Sequence, residues 1–256
     1  MKILLENLNK RLVFSSLEVT TSSVTLMKTK PLTQLRELIA SALKNQTNLS
    51  KSFQTFFIET MELILTHTGR FNFTQMARCG RSCESRFRQN FKKSFDWLSF
   101  NRSFIESTKG HRIAIAIDPC YIAKSGKKTP GVDWFWSGCA SAMKKGLEIL
   151  GMSIVDADAK DSVFLKAKQF TGLTHCQARN KEALSFAFNA SLTSVNLARA
   201  FARLQGMKLS VGSTKTLSHN AAMVDRFIAM SGKSPNMRLN NTDFKELLFY
   251  GVRAVA

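Results

Sequence analysis

The stretch HRIAIAIDPCYIAKSGKKTPG, residues 111–131, decides the fold class. Ile113, Ile115 and Ile117 alternate with smaller residues, a two-residue period that predicts a β-strand with one apolar face. Asp118 closes the alternation and Pro119 follows at once, so the strand is expected to end there. Lys124, Lys127 and Lys128 come next. A carboxylate at a strand end beside a group of cations is the pattern of a phosphate-handling site. A metal pair that activates a nucleophile and stabilises a leaving oxygen needs several converging oxygen ligands, however, and Asp118 supplies only part of one set.

Downstream, WFWSGCASAM (134–143) and GLEILGMSIVDAD (146–158) read as two more strands. Lys144, Lys145 and Gly146 are expected to form the turn between them, giving a three-stranded meander. Trp134 and Trp136 share a face of the middle strand, where packing is the expected role and stacking on an unpaired base the alternative. After Asp161 the pattern turns helical. The longest helix is expected over Asn180–Leu204, with Leu184, Phe188, Leu192, Val195 and Ala202 buried. TKTLSHNAAMVDRFIAMSG (214–232) and TDFKELLFYGV (242–252) follow as shorter helices.

Upstream, residues 1–30 carry weak periodicity. Helical patterning starts after Pro31 with LTQLRELIASALKN and continues in KSFQTFFIETMELILTH. There Phe53, Phe56, Phe57, Met61, Ile64 and Leu65 recur at three- and four-residue steps, and Gly69 is expected to end the helix. NFTQMARCGRSCESRFRQNFKKSF (72–95) predicts a helix-turn-helix: a turn at Gly80, Ser82 as the second helix's cap, and Phe87, Phe91 and Phe95 inward. Arg86, Arg88, Lys92 and Lys93 are expected outward. With Arg70, Arg78 and Arg81 they make seven cations against one acid, Glu84. Such a unit suits a helix in a major groove with flanking cations on phosphates.

The expected class is α+β. A weakly structured N-terminus (1–30) precedes a helical DNA-binding domain (31–108), a core with three strands (109–205) and a C-terminal helical segment (206–256). The chain has 256 residues, and its 37 Lys and Arg against 18 Asp and Glu give a formal charge of +19. Nucleic acid is the commonest partner of such a field on a folded chain. No apolar run matches a bilayer span, so no membrane partner is expected. The opening MKILLEN reaches Glu6 before a signal-peptide core develops, which points to a cytoplasmic, nucleoid-associated protein. Five cysteines without zinc-site spacing are expected as free thiols packed as small apolar residues.

IAIDPCYIAKSGKKTPG, followed by FWSGCASAMKKGLEILGMSIVDAD and later by AKQFTGLTHCQARNKEALSFAFNASLTSVNLARA, resembles the catalytic core of bacterial insertion-sequence transposases of the DDE type. The resemblance runs over roughly residues 50–256. It implies a ribonuclease-H-like fold in which three carboxylates hold two Mg²⁺ (or Mn²⁺) ions and cut double-stranded DNA at transposon inverted repeats. Asp118 matches the first carboxylate and would be a metal ligand. Lys168 matches the last position of the family's Y-x2-R-x3-E-x6-K signature. Asp161 stands where the Glu is expected, Ala157 at the Arg and Ile154 at the Tyr, and no segment matches the strand bearing the second Asp.

Spacing supports the same reading. Only twelve positions separate Asp156 from Lys168. A strand–helix–strand unit takes about 30 residues, so the middle of a complete core does not fit. The chain is therefore expected to be an internally shortened transposase that binds DNA without cutting it. Asp118 and Asp161 are the candidates for a rebuilt metal site. The DNA-contact candidates are Arg78, Arg81, Arg86, Arg88, Lys92, Lys124, Lys127 and Lys128. The alternative is a non-catalytic regulator that occupies transposon ends or forms mixed oligomers with itself or a full-length transposase. The shortening is also expected to leave the sheet with an unpaired edge and an uncovered face.

Overall fold

The computed structural model describes residues 31–104, 113–126, 128–156, 163–232 and 242–253. Among them the chain is α+β, with nine helices and one three-stranded antiparallel sheet. The expectation for residues 1–30 lies outside the described residues.

Helix α1 (Pro31–Leu43) begins at a proline whose missing N–H costs nothing in a first turn, and it buries Leu32, Leu35, Ile39 and Leu43 at helical spacing. Helix α2 (Lys51–Thr66) is capped by Ser50, whose side chain accepts the Phe53 N–H at 3.2 Å. All six residues of its expected stripe are buried. It ends at Thr66 rather than near Gly69, because His67 turns into extended backbone. Helix α3 (Phe73–Cys79) is capped by Asn72, and α4 (Glu84–Asn90) follows a turn through Gly80. Helix α5 (Trp97–Arg102) starts at Asp96, whose carboxylate accepts the Ser99 N–H at 3.0 Å.

The sheet differs from expectation in three ways. Strand β1 (Ile113–Ala123) does not stop at Asp118; it pairs with β3 (Ala142–Asp156) without a break from Ile113–Asp156 to Ala123–Gly146. Pro119 is tolerated because β1 is an edge strand. The strand order is β1-β3-β2, with β2 (Asp133–Ser137) on the far side of β3, so the sheet is not a sequential meander. Finally, the β2–β3 turn is 138–141, closed by the Ala140 N–H on the Ser137 carbonyl at 3.0 Å. Lys144, Lys145 and Gly146 lie within β3. Gly146 seats a ring instead of a turn: a Cβ there would lie 2.5 Å from Cε2 of Tyr121, whose hydroxyl donates to the Lys145 carbonyl at 2.8 Å.

Helix α6 (Val163–Phe170) leads to α7 (Lys181–Leu204), capped by Asn180, then α8 (Val211–Ser231) and α9 (Thr242–Phe249). Helix α7 matches its expected span, and Leu184, Val195 and Ala202 are buried as expected. Phe188 and Leu192 are only partly buried. The ring at the centre is instead Phe186, which meets Phe91 at 4.6 Å, Trp97 at 4.9 Å, Phe56 at 6.2 Å, Phe57 at 6.4 Å and Phe53 at 6.5 Å between centroids. Each enclosed Phe contributes about 1.5–3 kcal/mol of burial. This cluster belongs to one core that runs from Leu32 to Leu248 and includes Cys120, Ile122 and Leu147 of the sheet.

Candidate functional site

Asp118 is exposed, five residues short of the C-terminal end of β1, opposite Gly151. Strand alternation puts it on the same sheet face as Cys120 and Ile122, which are buried against the helices, while Asp118 lies further out along the ribbon. Asp156 ends β3 opposite Ile113, so its backbone lies about 17 Å along the strand from Asp118. Two ligands at that separation cannot grip ions a few ångströms apart. Asp161 lies outside the described residues, as do Asp158 and Lys127. Lys168 is half-buried on α6, which packs on α7 and α8. Among the described residues, no three His, Cys, Asp or Glu side chains converge to hold a metal ion. The described residues therefore do not fit the metal pair that the resemblance implies.

The α3–turn–α4 unit does bring most of the expected cations together, with different partners. Arg78, Arg81 and Lys92 are exposed. Arg86 folds back, its guanidinium donating to the Ser52 carbonyl at 3.1 Å. Arg88 is exposed but forms an ion pair with Glu84 one turn earlier and lies over the Phe73 ring at 5.2 Å. The Arg88 hydrogen bonds, then that of Thr74, hold the Glu84 carboxyl below the usual range. Helix α4 ends at Asn90, so Lys92 and Lys93 belong to the following turn rather than to a recognition helix. Phe87 and Phe91 are buried inward, as expected, and Phe95 is partly buried with its ring stacked on Phe57 at 4.3 Å between centroids. Lys128 is exposed in the loop after β1. Lys124 is turned inward, donating Nζ to the Cys176 carbonyl, and burial lowers its pKa.

Two features escaped the sequence reading. Ser82 does not cap α4; Cys83 occupies that position without a side-chain bond. Ser82 is held instead by Glu59 of α2, which is buried and accepts the Arg81 N–H at 2.5 Å, the Ser82 N–H at 2.8 Å and the Ser82 hydroxyl at 2.6 Å. Gly80 makes room for it, since a Cβ there would lie 2.7 Å from the Glu59 carboxylate. Glu59 interrupts the apolar stripe between Phe56 and Leu63, and an acid at that phase was the available signal.

The second is a basic cluster behind α3. The Phe71 N–H donates to Nδ1 of His175 at 3.1 Å, and His219 Nδ1 lies 2.8 Å from the Thr66 carbonyl. Lys215 donates Nζ to the Phe170 carbonyl at 2.5 Å, and burial pushes its pKa down to about 8. Burial first, then Lys215, lowers the pKa of both His67 and His175. No sequence spacing links these residues.

All five cysteines are free. Cys120 is buried, but Cys83 and Cys139 are exposed, against the expectation that all pack as apolar residues. Among the described residues no helix is long and apolar enough to cross a membrane. No family model, curated protein or solved structure matches this chain.

Proposed function

We propose that this chain is a DNA-binding derivative of a DDE-type insertion-sequence transposase, with a shortened ribonuclease-H-like core, which holds DNA without cutting it. One observation carries the binding half: around the α3–α4 turn, Arg78, Arg81 and Lys92 are exposed while both neighbouring acids are committed, Glu59 beneath the turn and Glu84 to Arg88. Phosphates approaching that turn meet cations without a competing free carboxylate. The lack of cleavage is supported by the exposed position of Asp118, on which no group of three ligating side chains converges among the described residues, so no metal-dependent step is assigned to it.

Titrating a labelled duplex of about 25 base pairs at increasing salt tests the reading. Affinity should fall steeply with salt, and replacing Arg78, Arg81 and Lys92 together by Ala should reduce the slope by about 3. Unchanged affinity and slope in that triple variant would remove α3–α4 from the contact.

A second reading, a regulator that forms mixed oligomers with a full-length transposase, is favoured by the sheet. Ile115, Ile117, Leu150 and Met152 lie on one face and are all exposed. An apolar face of that kind suits burial against another chain. Selective capture of a full-length transposase by the purified chain, lost when that face is made charged, is its test.

A further inference from the structure

Trp134 and Trp136 were expected to pack, yet they are 61% and 60% exposed. They stand two residues apart on one face of β2, about 7 Å from each other along the strand. Their cross-strand partners on that face are Lys145 and Met143, both exposed. The Trp134 N–H donates to the Asp133 carboxylate at 2.8 Å, which fixes the start of the strand. Strand β2 pairs only with β3 among the described residues, so the ribbon's outer edge is open. From Lys124 to Gly146 the sequence holds five lysines and one acid, Asp133.

Two indoles on a rigid ribbon, with an ammonium beside one of them, match the needs of unpaired nucleobases. Each base offers a π-face to an indole, and the backbone phosphates meet lysines. A protein partner would use the same indoles but has no need of the lysines. We infer that the β2–β3 hairpin is a stacking platform for unpaired bases, with Trp134 and Trp136 taking successive bases and Lys145, on the same face, holding a phosphate. This rests on the DNA-binding reading above and adds single-stranded or frayed DNA to what the chain recognises.

The test uses the full chain, an oligothymidine of about 12 nucleotides, longer than the two bases the indoles take, and a blunt duplex. The third tryptophan, Trp97, packs in the aromatic core, so changes in indole emission report on the hairpin. Oligothymidine should quench the emission of the parent chain, and a fluorescent label on the oligothymidine lets anisotropy report binding by variants that lack the indoles. The double variant W134A/W136A should bind it on the order of 100-fold more weakly, with duplex affinity within about twofold of the parent. W134Y/W136Y should recover most of the loss, because tyrosine also stacks, while the retained duplex affinity of the alanine variant shows that its loss is not unfolding. Unchanged oligothymidine binding in the alanine variant overturns the inference while leaving duplex binding intact. Absence of binding to either DNA defeats the underlying reading instead. A variant that changes only the sedimentation of the chain shows that the indoles serve a protein interface, which also overturns it.

Discussion

In the helical body Phe56, Phe57, Phe87, Phe100, Phe186 and Phe201 are fully enclosed, whereas in the sheet Ile115, Ile117, Leu150 and Met152 are exposed to between 59% and 68%. Among the described residues the sheet joins the helical core through Cys120, Ile122 and Leu147, with Ile149 partly buried against it. Beyond that seam the ribbon of β1 and β3 continues with its second face open. A helix buries one stripe, and α1, α2, α7 and α8 satisfy one another. A sheet has two faces, and among the described residues this one has partners for part of one. The proposed shortening of the core accounts for this contrast: losing a segment from its middle would take away an element covering the outer face and leave the helical scaffold standing.

The contrast can be broken most directly in the aromatic core. Phe186→Ala empties the place where five rings meet and is expected to lower unfolding free energy by about 3–5 kcal/mol in a urea titration. A loss below about 1 kcal/mol would mean the helical body is not the stable half. Glu59→Ala leaves the Arg81 and Ser82 N–H groups without their acceptor and should cost about 2–3 kcal/mol. Because the same turn presents Arg78 and Arg81, duplex affinity should fall with it; Glu59→Gln, which keeps an acceptor oxygen, should do less harm to both.

The histidines give a smaller effect with a defined sign. His67 and His175 have folded-state pKa values below the ordinary 6.5, so the unfolded chain binds protons more readily. Their contribution is complete above about pH 6.5 and is lost as pH falls below it. Protonated His175 can no longer accept the Phe71 N–H, and the charge of Lys215 near both rings, with that of Arg70 near His175, opposes protonation. The melting midpoint should therefore drop between pH 7 and pH 5, and His175→Gln should flatten that dependence. A midpoint constant over this interval would exclude the cluster as an acid-sensitive joint.

The smallest effect on stability sharpens the contrast from the other side. Ile117→Lys with Leu150→Lys should change unfolding free energy by less than about 0.5 kcal/mol while reducing self-association in sedimentation. If that pair of substitutions unfolds the chain, the sheet's outer face is covered after all.

The helices were legible because their burial is local: the Phe53–Leu65 stripe, the Asn180 cap and the end of α7 each follow from residues close in sequence. The sheet was legible only in part. Alternation identified strands at 113–117 and 146–156, but which strand takes the centre depends on pairing across the chain. Two local signals also misled. Pro119 reads as a strand end until β1 is known to be an edge, and Lys144–Lys145–Gly146 reads as a turn until Tyr121 is found over Gly146. At the proposed DNA contact the sequence supplied the cations but not their partners, since Arg86 and Lys124 are tied to carbonyls of distant segments.

Binding without cutting is most directly tested by incubating the chain with transposon-end duplex and Mn²⁺ or Mg²⁺, scoring strand breaks beside the bound fraction. The expected result is a salt-sensitive complex with every strand whole, and no change in the outcome for Asp118→Ala. Metal-dependent nicks that vanish in Asp118→Ala would contradict it, by showing that the exposed carboxylate of β1 still belongs to a working metal site.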